Sequence, residues 1–327
     1  MHPDSARELK VRILEHLPTA AAATAVATDR PWPRVAVGLS TAGNGRARVA
    51  VRLQRAADLT LLPDLGRAAR SAVDLRVIGR VRPFSSGTLS SPAPATLQRR
   101  CRPLRPGLSV AHPSVTAGTL GGFVQVPGGL AIVSNSHVLA ASGAATAGDA
   151  VLQPGPADGG AVGDRVGSLA AFQPFRSGVP NLVDAAVALL DEGTEVDPGA
   201  LPGGPLAGPV PMSPELDPDD QVEKLGRTSA HTRGRISAVE VDAVAVDYDG
   251  TVHRFDDQLE IEGLTGAFSA GGDSGSVIWR SRDRAPVALL FAGSSAGGRS
   301  GGGVTFANPL ATVLATLGAE WISGPGG

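Results

Sequence analysis

Near the start of the chain, Ala6, Leu9, Ile13, Leu14 and Leu17 recur at helical spacing, and Pro3-Asp4-Ser5 ahead of them can cap a helix. The period then drops to two. Val35, Val37 and Leu39 alternate with smaller residues, Asn44-Gly45 supplies a hairpin turn, and Ala47, Val49, Val51 and Leu53 alternate with Arg46, Arg48 and Arg52. A helix is expected from Pro63 to Arg70, followed by a third alternating run, Val73, Leu75 and Val77. The order helix, strand, strand, helix, strand predicts a small α/β sandwich domain over residues 1–95. The arginines of its second strand read as a solvated face, since a half-buried strand must show polar residues to water.

Residues 82 to 104 are rich in Ser, Pro and Arg without sustained periodicity, the signature of an exposed connector and a domain boundary. Beyond it, over 96–327, short apolar runs follow at turn-sized intervals: Gly121 to Val126, Leu130 to Val133, Val183 to Leu190, Arg235 to Val246, Ser276 to Trp279, Val287 to Phe291 and Val304 to Phe306. These read as strands of a mainly β, barrel-type protein. A Pro- and Gly-rich stretch, Asp191 to Asp220, divides them into halves of comparable size, as two barrels joined by a linker would require. Leu310, Val313, Leu314 and Leu317 return to helical spacing, so one helix from Pro309 to Trp321 is expected to close the chain.

Composition agrees with this picture and removes some functions. Among 327 residues are 43 Gly and 26 Pro with only 4% aromatics, which suits many short strands joined by tight turns. A net charge of −2 supplies no field to hold nucleic acid or an anionic membrane, so neither partner is expected. The single cysteine, Cys101, cannot form an internal disulfide, which favours a reducing, cytoplasmic setting. The start MHPDSARELK has no long apolar stretch behind a basic one, and no window reaches the ~18 apolar residues of a spanning helix, so neither signal peptide nor membrane anchor is expected.

Hydrolysis of a peptide bond by serine needs a hydroxyl beside an imidazole, a carboxylate that holds the imidazole in the right tautomer, and backbone N–H groups for the oxyanion. Three segments offer these groups. Phe268-Ser269-Ala270-Gly271-Gly272-Asp273-Ser274-Gly275-Ser276 sets Ser274 among glycines just before a strand, and glycine permits the backbone angles that aim consecutive N–H groups into one pocket. A turn before a strand would account for the same residues. Ala131-Ile132-Val133-Ser134-Asn135-Ser136-His137 is an apolar strand ending in a histidine, and Asn181-Leu182-Val183-Asp184-Ala185-Ala186 sets one aspartate in an apolar run, where burial demands a partner. Taken singly, His137 reads as a histidine at a strand edge and Asp184 as a strand-end cap. Together they give the order His, Asp, Ser.

In that order and at that spacing the segments resemble the chymotrypsin-like serine endopeptidases over about two thirds of the chain. The run Lys224 to Ile236, with Gly107-Leu108-Ser109-Val110 and Gly121-Gly122-Phe123-Val124, is similar to the bacterial branch that includes α-lytic protease and the streptogrisins. Arg102-Pro103-Leu104-Arg105-Pro106-Gly107, with Ser136 to Ala140, also resembles the plant narrow-leaf-type trypsin-like proteins. The resemblance implies a two-barrel fold, a peptide or protein substrate and no cofactor. Ser274 would be the nucleophile, His137 the general base and Asp184 its orienting carboxylate, with the Gly272 and Ser274 amides as oxyanion donors. Phe268 would lie at the base of the specificity pocket, Phe291 and Gly293 on the substrate-pairing edge, and Arg227 would neutralise Asp273. Val138 stands where the family usually has a cysteine, and Gly275-Ser276 replaces Gly-Gly, a variant that also resembles the glutamyl endopeptidases. Residues 1–95 would then form a pro-region or regulatory cap. The rival is a catalytically silent, protease-like binding or scaffold protein.

Other motifs are weaker. Gly293-Ser294-Ser295-Ala296-Gly297 fits the nucleophile elbow of α/β-hydrolases, but the glycine-rich Gly298 to Gly303 that follows cannot form the required helix, and no histidine lies beyond His253. Asp217, Asp219 and Asp220, and Asp247 with Asp249-Gly250, stop short of a calcium loop, so no metal site is expected. Gly301 to Gly303 precedes a strand rather than a helix and lacks the amides that cradle phosphate.

Overall fold

The computed structural model describes residues 1–18, 32–66, 71–83, 95–208 and 219–324. The chain opens with helix α1 (Pro3–His16), whose N-cap is His2: its ring accepts the Asp4 N–H, in place of a cap from Pro3-Asp4-Ser5. Ala6, Leu9 and Ile13 of α1 pack on Val35, Val37, Val49 and Val51, the inward positions of β1 (Val35–Gly43) and β2 (Arg46–Leu53). Asn44 and Gly45 both take positive φ, 51° and 68°, as a tight hairpin between right-twisted strands demands. β3 (Val73–Val77) lies parallel to β2. Between them runs a 3₁₀ turn, Ala56–Leu61; Pro63 to Leu65 are not helical, and 67–70 of the expected helix lie outside the described residues.

The expected connector is not simply exposed. Residues 84–94 lie outside the described residues, but before them the short strand β4 (Arg82–Pro83) is paired, and after them α2 (Ala95–Gln98) buries Leu97 in a core.

A six-stranded sheet follows, and after it a ring of six strands that belongs to a ten-stranded sheet. In the first, β7 (Gly122–Val126), β8 (Gly129–Ser134), β9 (Ala150–Leu152), β10 (Arg165–Phe172) and β11 (Ala186–Leu190) are joined by the C-terminal strand β20 (Glu320–Ile322), in the spatial order β20-β7-β8-β11-β10-β9. The small hairpin of β5 (Ser109–Val110) and β6 (Gly118–Thr119) leans on it through the bridge Ala111–Leu152. Phe123, Ile132, Val151 and Leu169 fill this barrel.

In the second, β12 (Gln221–Gly226), β13 (Ala230–Asp242), β16 (Gln258–Gly263), β17 (Val277–Arg280), β18 (Pro286–Gly293) and β19 (Thr305–Pro309) run in the order β12-β17-β18-β19-β16-β13, and β13 pairs back to β12, which closes the ring. Val222, Ile236, Ile261, Ile278 and Leu290 fill it. The hairpin of β14 (Val244–Tyr248) and β15 (Thr251–Phe255) stands beside this barrel. The described chain is thus a two-barrel domain preceded by a small α/β unit.

The ending differs from the single helix expected. α4 (Leu310–Leu317) stops at Gly318, which caps it in the left-handed conformation, and Trp321 then lies in strand β20 (Glu320–Ile322), paired with β7 of the first barrel.

The α/β unit is not a separate body. β13 is 13 residues long, and beyond the barrel its far end pairs with β1, so the N-terminal strands extend the second barrel's sheet. Arg52 explains why the solvated-face reading fails for one of the three arginines. Arg46 and Arg48 are exposed, but Arg52 is 1% exposed, because its guanidinium grips Glu260 of β16 with bonds of 2.7 and 3.0 Å and reaches Asp74 of β3 as well.

Candidate active site

At the end of β8 the backbone leaves the barrel through Asn135 and turns into the four-residue helix α3 (Ser136–Leu139), which carries His137. Asp184 sits two residues before β11, the strand paired with β8, so sheet pairing brings the two side chains together. His137 Nδ1 lies 2.5 Å from Asp184 Oδ2, and the His137 N–H donates to Asp184 Oδ1 at 3.2 Å. Both residues are buried. The backbone of Asp184 is held as firmly: its N–H donates to Asn308 Oδ1 at 3.0 Å, and its C=O accepts from Asn135 Nδ2 at 2.7 Å. Among the described residues the remaining bond to the carboxylate is from the Tyr248 hydroxyl of β14, 2.7 Å from Oδ2.

Ser274 lies in the turn before β17. Gly272 and Gly275 on either side take φ of +97° and +92°, conformations that a side chain would strain. A Cβ on Gly275 would also stand 2.0 Å from Ser134 Oγ. The serine turn therefore rests against the end of β8, three residues ahead of His137. Ser274 Oγ donates to the Phe291 carbonyl at 3.3 Å, while His137 Nε2 has no hydrogen-bond partner among the described residues. Among the same residues the amides of Gly272 and Ser274 donate to no protein acceptor, as groups reserved for an oxyanion would.

Asp273, between those amides, is 0% exposed, and its partner differs from the expected one. Lys224, equally buried, places Nζ 3.1 Å from Asp273 Oδ2. Arg227 turns instead to Asp158, with Nε 2.7 Å from Oδ2. The reason is strand phase: Val222, Lys224 and Gly226 share the inward face of β12, whereas Arg227 follows the strand's end and leaves it. Thr228 N–H, Ser229 N–H, Ala270 N–H and the Ser229 hydroxyl complete the shell of Asp273 at 2.5 to 3.1 Å. Burial alone would raise this carboxyl, but the Lys224 charge and these donors outweigh it and hold it below the ordinary range. Burial costs the lysine more than Asp273 returns, so its ammonium falls below the usual value.

Phe268, expected at the base of a specificity pocket, is almost wholly buried. Its ring is 2% exposed and packs in the core of the second barrel, because Gly234 leaves room for it there. Phe291 is also buried, against Phe255 at 4.9 Å, and contributes its carbonyl to Ser274. Gly293 ends β18, and the side of the strand away from β19 is occupied there: β4 pairs antiparallel to it, Pro83 opposite Ala292 and Arg82 opposite Gly293. Val81 and Ile78, just before β4, are buried in the same cluster as Phe291.

Solved structures similar in fold to this chain include bacterial chymotrypsin-like serine proteases. Thermobifida fusca protease A is 16% identical, with 68% of this chain and 100% of that chain covered and a TM-score of 0.46. The Nocardiopsis protease is 18% identical over 67% and 99%, with a TM-score of 0.44, and the Cellulomonas bogoriensis chymotrypsin 17% over 67% and 99%, at 0.42. No family model and no curated protein matches the chain.

Ser295 of the elbow-like run is exposed in a bend with no helix after it. Asp247 is ion-paired to Arg80 and Arg34, Asp217 lies outside the described residues, and no group of three metal-ligating side chains occurs among the described ones. No helix among them is long and apolar enough to cross a membrane. Sequence reasoning missed Lys224 and Tyr248. Each had a signal: a lysine on the inward phase of an alternating strand, and the only tyrosine of the chain at the inward end of Val244, Val246, Tyr248.

Proposed function

We propose that the protein is a serine endopeptidase acting by acyl transfer. The observation that carries this reading is the buried His137–Asp184 pair, its outer nitrogen free, beside a serine turn whose two flanking amides are also free. Ser274 Oγ attacks the carbonyl carbon of a peptide bond and passes its proton to His137 Nε2, while Asp184 stabilises the imidazolium. The oxyanion is taken by the Gly272 and Ser274 amides. The C–N bond then breaks as His137 returns the proton to the departing amine, leaving an ester on Ser274. Water, deprotonated by His137, hydrolyses that ester and restores the serine.

The N-terminal unit belongs to the same reading as a cap. An extended substrate needs an open strand edge near the nucleophile, and Arg82–Pro83 covers the edge at Ala292–Gly293. A resting enzyme with its groove filled by its own chain would be restrained in a reducing cytoplasm, the setting that the lone Cys101 favours.

Labelling by a fluorophosphonate tests the function. Reaction at Ser274 that disappears in Ser274→Ala and His137→Ala supports it. One observation favours a silent scaffold instead: the Ser274 hydroxyl is engaged with the Phe291 carbonyl and not with His137. An absence of labelling under every activation condition would establish that alternative.

A further inference from the structure

From the contacts of Asp184 we infer that the Tyr248 hydroxyl is a positioning group for the reaction, fixing the Asp184 carboxylate in the orientation from which it holds His137; this rests on reading Ser274, His137 and Asp184 as the acyl-transfer machinery. The carboxylate has no exposure to bulk solvent, so its orientation depends on groups buried with it. Two of its three donors come from one residue: the N–H and the ring of His137. That residue sits on a helix of four residues, and a carboxylate bonded to nothing else would turn as the helix shifts. Asn135 and Asn308 fix only the backbone of Asp184. Among the described residues, Tyr248 is the one donor to the carboxylate from outside His137, and it reaches across from the hairpin beside the second barrel to a pair built on the first.

The phenol is itself rigid. Its ring lies 4.7 Å from Phe175, 6.2 Å from Phe255 and edge-on to His137 at 5.8 Å, so the hydroxyl is delivered from a packed aromatic cluster. Burial and the neighbouring Asp184 charge push the phenol well above its ordinary value, so it stays a neutral donor throughout the working range. Besides Asp184, the titratable groups facing the ring are His137 and His253, the latter 5.9 Å away and lowered by burial.

The hydroxyl has a chemical effect as well as a steric one. A hydrogen bond donated to Oδ2 disperses the charge that would otherwise bear fully on the imidazole N–H. Removing the donor makes the carboxylate the stronger acceptor, so protonated His137 persists to higher pH and the base becomes available later. A stronger donor does the reverse.

The chain's single tyrosine permits both changes. Tyr248→Phe keeps the ring and removes the donor. Growth on 3-fluorotyrosine alters position 248 alone and makes its hydroxyl more acidic, hence a stronger donor, without removing anything. On the full chain, the fluorophosphonate labelling rate of Ser274 is followed against pH, with Ser274→Ala as the blank and His253→Gln to account for the neighbouring imidazole. The low-field proton resonance of His137 Nδ1 is recorded alongside, a readout that does not require activity. The acid limb should move to higher pH in Tyr248→Phe and to lower pH with 3-fluorotyrosine, and the resonance should move with it. The maximal rate of Tyr248→Phe should fall between about 10-fold and 10²-fold, the range expected when a catalytic group is displaced. Opposite shifts from the two changes would not follow from damage to the fold. If the parent labels and both altered proteins match it in limb, rate and resonance, the positioning role is refuted while the enzyme stands. If the parent never labels, the enzyme reading fails and the positioning role falls with it.

Discussion

Replacing Lys224 with methionine removes the charge facing Asp273 while keeping the length of the side chain. Two unit charges 3.1 Å apart attract by about 5 kcal/mol at an effective dielectric constant near 20, and both groups here are fully buried. Breaking a buried pair by deleting one partner costs roughly 3 to 5 kcal/mol, because the other charge is stranded. Asp273 keeps the three amides and the Ser229 hydroxyl, so the expected loss is at the lower end, about 3 kcal/mol. Urea unfolding at neutral pH, followed by tryptophan fluorescence, measures it. Since Asp273 lies between the two amides assigned to the oxyanion, peptide hydrolysis should fall as well, toward the ~10²-fold loss of a missing oxyanion donor. A double-mutant cycle with Asp273→Asn decides the matter: the coupling between Lys224 and Asp273 should be large, and that between Arg227 and Asp273 small. Additivity of Lys224→Met and Asp273→Asn within about 0.5 kcal/mol, or a larger coupling for Arg227, would refute this account.

The same pair predicts acid sensitivity. Asp273 sits below the unfolded carboxyl value of about 3.9, so its contribution is complete above that pH and lost as pH falls through the folded value; in Lys224→Met the acid-unfolding midpoint should move to higher pH. Glu260→Gln leaves the buried Arg52 guanidinium with Asp74 as its remaining carboxylate and should cost at most about 3 kcal/mol, the lower end for a broken buried pair, seen as earlier urea unfolding; an unchanged midpoint would show that the contact carries no stability. Val81→Asp buries an unpaired carboxylate beneath β4 and should free the covered strand edge, raising hydrolysis of added peptide in the intact chain. Unchanged hydrolysis in a folded Val81→Asp protein would remove the cap from the functional reading.

Much of the architecture is written in local pattern. The opening helix, the Asn44-Gly45 hairpin and the principal strands of both barrels follow from apolar periodicity and turn chemistry, because each is a choice of backbone geometry made over a few residues. His137, Asp184 and Ser274 were legible for a related reason: a histidine ending an apolar strand, an aspartate within an apolar run and a serine between glycines are each unusual in their own neighbourhood. What the pattern could not supply was the partner of each group. Arg52 alternates like Arg46 and Arg48, yet only Arg52 meets a carboxylate when β13 carries the N-terminal sheet onto the barrel. The choice of Lys224 over Arg227 for Asp273 turned on which side of β12 faces inward once the barrel closes. Arg82–Pro83 carries no strand signal of its own, and becomes a strand because the edge at Ala292–Gly293, far later in the chain, leaves backbone groups to be paired. Tyr248 likewise reaches Asp184 across 64 residues and from the other half of the molecule. Periodicity and turn residues report on neighbours along the chain, whereas charge pairing, edge covering and the orientation of the Asp184 carboxylate depend on residues distant in sequence, which only the folded barrels bring within bonding distance.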